Sequence, residues 1–152
     1  MQTTTAAPGI SALLGGVGAY TKLADKVEAM AERPTITIPD NEPPTDLLIE
    51  DLEIGEGQEA AVGKRVYVHY AGVAWSSGQE FDASWNRGDV FDFRLGAREV
   101  IEGWDKGVTG MRVGGRRRLT IPPHLGYGSR GAGGVIQGGE TLVFVVDLVN
   151  VR

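Results

Sequence analysis

Glu99-Val100-Ile101-Glu102-Gly103-Trp104-Asp105-Lys106-Gly107-Val108 is the one stretch between Leu47 and the C-terminus that suits a helix, and it is short and interrupted by Gly103. The segments around it read as strands. Leu48-Ile49-Glu50-Asp51-Leu52-Glu53-Ile54 ends at the turn Gly55-Glu56-Gly57. Arg65 to Val73 is rich in β-branched and aromatic residues and puts Val66, Val68 and Tyr70 on one face. Phe91, Phe93 and Leu95 alternate with Asp92 and Arg94, and Leu119 and Ile121 alternate with Arg118 and Thr120 before Pro122-Pro123. From Thr141 to Val151, Leu142, Phe144, Val146 and Leu148 share one face and Val143, Val145, Val149 and Val151 the other. Five strands and one short helix predict an antiparallel α+β domain in which the helix covers one face of the sheet.

Upstream, Pro34, Pro39, Pro43 and Pro44 mark an extended linker. Tyr20, Leu23, Val27 and Met30 fall at helical spacing, with Lys22, Asp25, Lys26, Glu28 and Glu32 off that stripe. The expected organisation is an extension over 1–45, with a flexible start, a short amphipathic helix over 19–33 and a linker over 34–45, followed by one domain over 46–152. The last strand is apolar on both faces and one helix covers only one of them. The stripe is therefore expected to cover the outer valines, in the same molecule or in a dimer. No basic residue precedes the apolar run Ile10 to Val17, so the basic start of a secretory signal is missing, and a cytoplasmic location is expected.

Composition excludes several chemistries. Lys+Arg is 15 and Asp+Glu is 20, a formal charge of -5, which disfavours non-specific nucleic-acid binding. Without cysteine there is no disulfide, thiolate nucleophile, cysteine-held zinc or iron–sulfur cluster. His69 and His124 lie far apart, so no metal site is expected. No apolar run reaches the roughly 20 residues of a membrane-spanning helix. Glycine is the outlier at 23 of 152 residues, and twelve lie between Gly103 and Gly139, where they are expected to serve loops and turns.

Three motifs have ordinary readings. Gly126-Tyr127-Gly128-Ser129-Arg130-Gly131 fits G-x-G-x-x-G, but Pro122-Pro123 precedes it where a dinucleotide site needs a strand, and Gly133-Gly134 follows where it needs a helix. Arg116-Arg117-Arg118 would split between the two faces of a strand and reads as a solvated edge. His69 points away from the core face and has no histidine, cysteine or serine partner nearby in sequence, so triad chemistry is unsupported. The aromatic set Tyr70, Phe81, Phe91, Phe93, Trp104, Tyr127 and Phe144 suits either an ordinary core or a cleft for a small apolar ligand or peptide side chain.

A resemblance decides between those two. Val68-His69-Tyr70-Ala71-Gly72, Phe81-Asp82-Ala83-Ser84, Val100 to Val108 and Gly110-Met111-Arg112-Val113-Gly114-Gly115 follow in order. Leu119-Thr120-Ile121-Pro122, Tyr127-Gly128 and Leu142-Val143-Phe144 come after them. Together they resemble the FKBP-type peptidyl-prolyl cis–trans isomerases over residues 46–152. Trp85-Asn86-Arg87-Gly88 and the run Gly115 to Leu125 are similar to single-domain bacterial members. The resemblance implies a twisted antiparallel half-barrel around one short helix. It implies catalytic residues Tyr70, Asp82, Trp104, Tyr127 and Phe144, with Phe81, Arg87, Phe91, Val100, Ile101 and Ile136 binding substrate or inhibitor. Trp104 would be the floor under the proline ring, Ile101 N–H and the Tyr127 hydroxyl would hold carbonyls, and Tyr70 and Arg87 would fix Asp82. The implied partners are proline-containing peptides, unfolded proteins and macrolides such as tacrolimus and rapamycin, with no cofactor. Two positions depart from the family: Leu125 stands where a second aromatic is frequent, and the loop tip is Ala132-Gly133-Gly134. The rival expectation is a binding or chaperone module with weak catalysis, and a third is an interaction protein acting through the N-terminal helix.

Overall fold

The computed structural model describes residues 32–152, so the stripe from Tyr20 to Met30 lies outside the described residues. Strands β1 (Leu48–Glu53), β2 (Arg65–Ala74), β3 (Glu80–Ala83), β4 (Phe91–Arg94), β5 (Arg116–Ile121) and β6 (Leu142–Val151) form one sheet. The order is β1-β5-β6-β2-β3, every pair antiparallel, with β4 paired to the first half of β2 and β3 to its second half. Helix α1 (Ser84–Arg87) follows β3, and helix α2 (Glu102–Val108) packs on the inner face. The α+β expectation holds. β6 is central, and its run Leu142 to Leu148 is buried on both faces, as a strand in the middle of a covered sheet must be.

The inner face and α2 make the main core. Val66, Val68, Leu119, Ile121, Leu142, Val146 and Leu148 meet Trp104 and Val108 there. The helix reaches β5 because two glycines face it. A Cβ on Gly103 would sit 2.5 Å from Ile121 Cγ2, and one on Gly107 would sit 2.7 Å from Leu119 Cδ1. The expectation that glycines in this region serve loops is corrected at these two positions: they are contact surface, and they set how deep Trp104 lies.

Other readings are also corrected. Among the described residues there are six strands, because Glu80–Ala83 is a strand; four residues with a register shift opposite Val73 are too few to show alternation. A second helix exists at Ser84–Arg87, a single turn held by burial of Ser84 and Trp85 and closed by Gly88 at φ 74°. The main helix starts at Glu102, not Glu99: Ile101 is extended, and the Glu99 carboxylate instead accepts the Arg94 N–H at 3.0 Å.

The arginine run is not solvated. Arg117 pairs with Asp51 at 2.7 Å and donates to the carbonyls of Gly107 and Thr109 at the end of α2. Arg116 grips buried Asp147 through two bonds, and Arg118 donates to the Thr37 carbonyl. Each guanidinium finds acceptors that a strand pattern cannot reveal, because they come from other elements.

Residues 32–37, read as the end of a helix and the start of a linker, lie against part of the outer face. Ile36 packs on Ala71, Ala83 and Trp85, and the Glu32 and Thr37 carbonyls accept from Arg116 and Arg118. Val143 and Val145, expected to need a cover, are buried. His69 lies on this face as expected, but it is only 1% exposed. It stacks on Trp85 with centroids 4.4 Å apart, and its Nδ1 is 2.8 Å from Ser84 Oγ. That serine, invisible as a partner in sequence, also accepts the Tyr70 N–H; the pair is structural.

This face carries a pH dependence. Burial holds the His69 pKa down at about 4, against a nearby pull upward from Asp89. The unfolded imidazole takes its proton near 6.5, so stability is full above that pH and is lost as pH falls toward 4, by at most about 3 kcal/mol. Burial pushes the Asp147 carboxyl up to about 6 against the pull of Arg116, and works in the opposite sense. A His69→Gln variant isolates the histidine. It is expected to melt below the parent at pH 8, with the difference shrinking or reversing by pH 4.5. A difference independent of pH contradicts this account.

Candidate active site

The concave side of the sheet ends in an open cavity of about 400 Å³ between β2, β3, the start of α2 and the loop after β5. Its floor is the Trp104 indole, 4% exposed and seated by the close approach of α2. Tyr70, Phe144 and Phe91 stand edge-on to it, with ring centroids at 4.9, 5.2 and 6.0 Å. Phe81 meets Phe144 edge-on at 5.4 Å. Such edge-to-face sets fix ring planes, so the walls are preformed. Gly72 permits this approach: a Cβ there would lie 2.6 Å from the Phe144 ring.

One side of the rim is polar. The Tyr70 hydroxyl donates to Asp82 Oδ2 at 2.5 Å, Arg87 Nη1 donates to Asp82 Oδ1 at 3.0 Å, and Arg87 Nη2 donates to the Tyr70 hydroxyl at 2.9 Å. Three elements supply this closed ring: β2 gives Tyr70, β3 gives Asp82 and α1 gives Arg87. Burial first, and the Asp82 bond second, push the Tyr70 phenol up to about 12, so it remains a neutral donor at any physiological pH. Burial and then Asp82 also raise the Tyr127 pKa.

Two donors at the rim are unspent. The Ile101 N–H precedes α2 and the Tyr127 hydroxyl follows the turn Pro123–Leu125; neither has an acceptor among the described residues. An apolar box with a fixed carboxylate on one wall and two free donors suits a ligand that is mostly hydrocarbon and carries carbonyls.

Ten of the expected site residues line this cavity: Tyr70, Phe81, Asp82, Phe91, Val100, Ile101, Trp104, Tyr127, Ile136 and Phe144. Arg87 does not line it and reaches it only through Asp82 and Tyr70. Glu99, Val135 and the loop-tip residues Ala132 and Gly133 also line it. Glu99 and Val135 had no signal of their own beyond adjacency to Val100 and Ile136. Leu125 lies instead on a neighbouring groove with His124, so that departure alters the surroundings of the cavity and not its wall.

Comparisons with known proteins place the chain in one family. The family described as FKBP-type peptidyl-prolyl cis–trans isomerase matches residues 56–149. The chain is 60% identical to the FK506-binding protein of Streptomyces anulatus, across 79% of this chain and 98% of that one. It is 51% identical to the FK506-binding protein of Neisseria meningitidis serogroup A, across 69% and 95% respectively. Among solved structures it is similar to the crystal structure of AtFKBP13, with a TM-score of 0.66 and 38% identity over 72% of this chain and 96% of that chain.

Proposed function

The chain belongs to the FKBP-type peptidyl-prolyl cis–trans isomerases, and from that footing we propose that the Trp104 cavity is where X–Pro bonds of its substrates rotate. The observation that carries this reading is the joint placement of the Tyr70–Asp82–Arg87 ring and two unspent donors around an aromatic box.

The X–Pro amide rotates over a barrier of roughly 18–20 kcal/mol, because resonance gives the C–N bond double-bond character. At the twisted transition state that resonance is lost and the carbonyl is less polar. An apolar enclosure that strips water from the amide therefore disfavours the planar form relative to the twisted one. In this reading the proline ring lies on Trp104 between Tyr70, Phe91 and Phe144. The Ile101 N–H and the Tyr127 hydroxyl hold substrate carbonyls, and the preceding residue turns over the Asp82 side of the rim. Asp82 orients and polarises; no proton leaves the substrate and no bond breaks, so rotation requires neither nucleophile nor metal. Each tenfold acceleration corresponds to about 1.4 kcal/mol, which desolvation and two hydrogen bonds can supply several times over.

The substrates in this reading are proline-containing peptides and unfolded proteins, whose slow X–Pro exchange limits folding. Macrolides of the tacrolimus and rapamycin type, rich in carbonyls and hydrocarbon, fit the same box, and the relatives' names record FK506 binding by those proteins. All lining residues come from one chain, so a monomer suffices. Among the described residues no helix is long and apolar enough to cross a membrane, and a cytoplasmic setting is part of the proposal. A calorimetric titration with tacrolimus tests the site assignment: saturable 1:1 binding that Phe144→Ala weakens is expected. No heat at tens of micromolar ligand overturns it.

A further inference from the structure

Asp82 and Arg87 sit on a short unit, β3 with α1, whose middle is seated by the buried Ala83, Ser84 and Trp85 while its ends, Glu80 and Asn86-Arg87, are exposed. β3 has four residues and, among the described residues, pairs only with β2, with a register shift, and α1 is a single turn. On the cavity side the ring with Tyr70 and the edge-on packing of Phe81 on Phe144 anchor this unit. On the outer face, a residue far upstream grips both of its ends. Arg33 Nη1 donates to Glu80 Oε1 at 2.5 Å, and Arg33 Nη2 donates to Glu80 Oε2 at 3.2 Å and also to Asn86 Oδ1. Asn86 Nδ2 closes the triangle on Glu80 Oε2 at 3.1 Å. Glu80 lies two residues before Asp82, and Asn86 immediately before Arg87.

We propose that Arg33 is a positioning residue for the isomerase site, clamping β3 to α1 from behind so that Asp82 and Arg87 meet Tyr70 in one arrangement. Three features make the clamp effective. The guanidinium fork engages two acceptors at once, which a lysine cannot match. The Arg33 and Glu80 side chains are 28% and 33% exposed, so water reaches them and the grip comes from several bonds made at once. The backbone bearing Arg33 is itself fixed, by Arg116 on the Glu32 carbonyl, Arg118 on the Thr37 carbonyl, and Ile36 against Ala71, Ala83 and Trp85. Arg33 lies outside residues 56–149, the part that matches the family. The upstream segment thus acts on the site without entering it.

The inference rests on the reading of Asp82 as part of the site, and the test separates the two. In the full chain, Arg33→Ala, Arg33→Lys, Asp82→Ala and the double variant Arg33→Ala/Asp82→Ala are compared for prolyl-peptide turnover and for amide exchange. Arg33→Ala is expected to lower kcat/KM about three- to tenfold, since small misplacements at a site are costly. Exchange over residues 80–87 should quicken about tenfold while β5 and β6 are unchanged. Arg33→Lys recovers part of each loss. In the Asp82→Ala background, Arg33→Ala costs nothing further, because both act through one carboxylate. Equal losses in both backgrounds, or parental exchange and turnover in Arg33→Ala, overturn the proposal. Parental turnover in Asp82→Ala combined with quickened exchange in Arg33→Ala removes Asp82 from catalysis and still supports the clamp.

Discussion

Replacing Asp82 by alanine is expected to lower kcat/KM for prolyl peptides by about one to two orders of magnitude, and to weaken macrolide binding in parallel. The carboxylate is the shared acceptor of Tyr70 and Arg87. Without it the Tyr70 hydroxyl, at the mouth of an aromatic box, loses its acceptor, and Arg87 becomes a lone cation beside the rim. The loss belongs to the site and not to the fold, because the Asp82 and Arg87 side chains are 45% and 50% exposed. Exposed pairs contribute at most about 1 kcal/mol of stability, so the melting temperature should move by only a few degrees. Parental kinetics in this variant would make Asp82 purely structural.

Gly103→Ala combined with Gly107→Ala is expected to destabilise the protein by about 3 kcal/mol, a fall of roughly 10 °C in melting temperature. Helix propensity alone predicts the reverse, a gain of about 1 kcal/mol for each glycine replaced. Contacts decide the sign. The new methyl groups would lie 2.5 Å from Ile121 and 2.7 Å from Leu119, and both of those side chains are fully buried with no room to retreat. The helix must move away from β5, and Trp104 and the Ile101 N–H move with it. Turnover should therefore fall even at temperatures where the variant is folded. A rise in melting temperature would show that α2 is not pressed on β5 as described.

Much of this was legible in the sequence, for identifiable reasons. The strand β5 shows alternation because Leu119 and Ile121 face α2 while Arg118 and Thr120 point the other way, and β2 and β6 were legible as β-branched and aromatic runs buried on both faces. The cavity residues were legible because the spacing of Tyr70, Asp82, Trp104 and Tyr127 is shared with a known family, not because aromatic content alone separates a core from a cleft. What was missed depends on contacts between distant segments. β3 and α1 are too short for any period to show. The serine beside His69 and the acceptors of Arg116, Arg117 and Arg118 come from other elements. Residues 34–39 begin and end on a proline and have no regular structure, and so read as a spacer, yet Ile36 packs on Trp85. A pattern within one segment cannot report a contact whose other half lies elsewhere in the chain.

The central claim is that X–Pro bonds rotate in the cavity floored by Trp104. The most direct measurement is two-dimensional exchange NMR on an Ala-Pro peptide with a catalytic amount of the full chain, before and after one equivalent of tacrolimus. The account predicts cis–trans exchange far above the uncatalysed rate of tens of seconds, abolished by the macrolide, with peptide-induced shifts at the amides of Ile101 and Trp104. Exchange at the uncatalysed rate, or catalysed exchange that the macrolide leaves untouched, would contradict it.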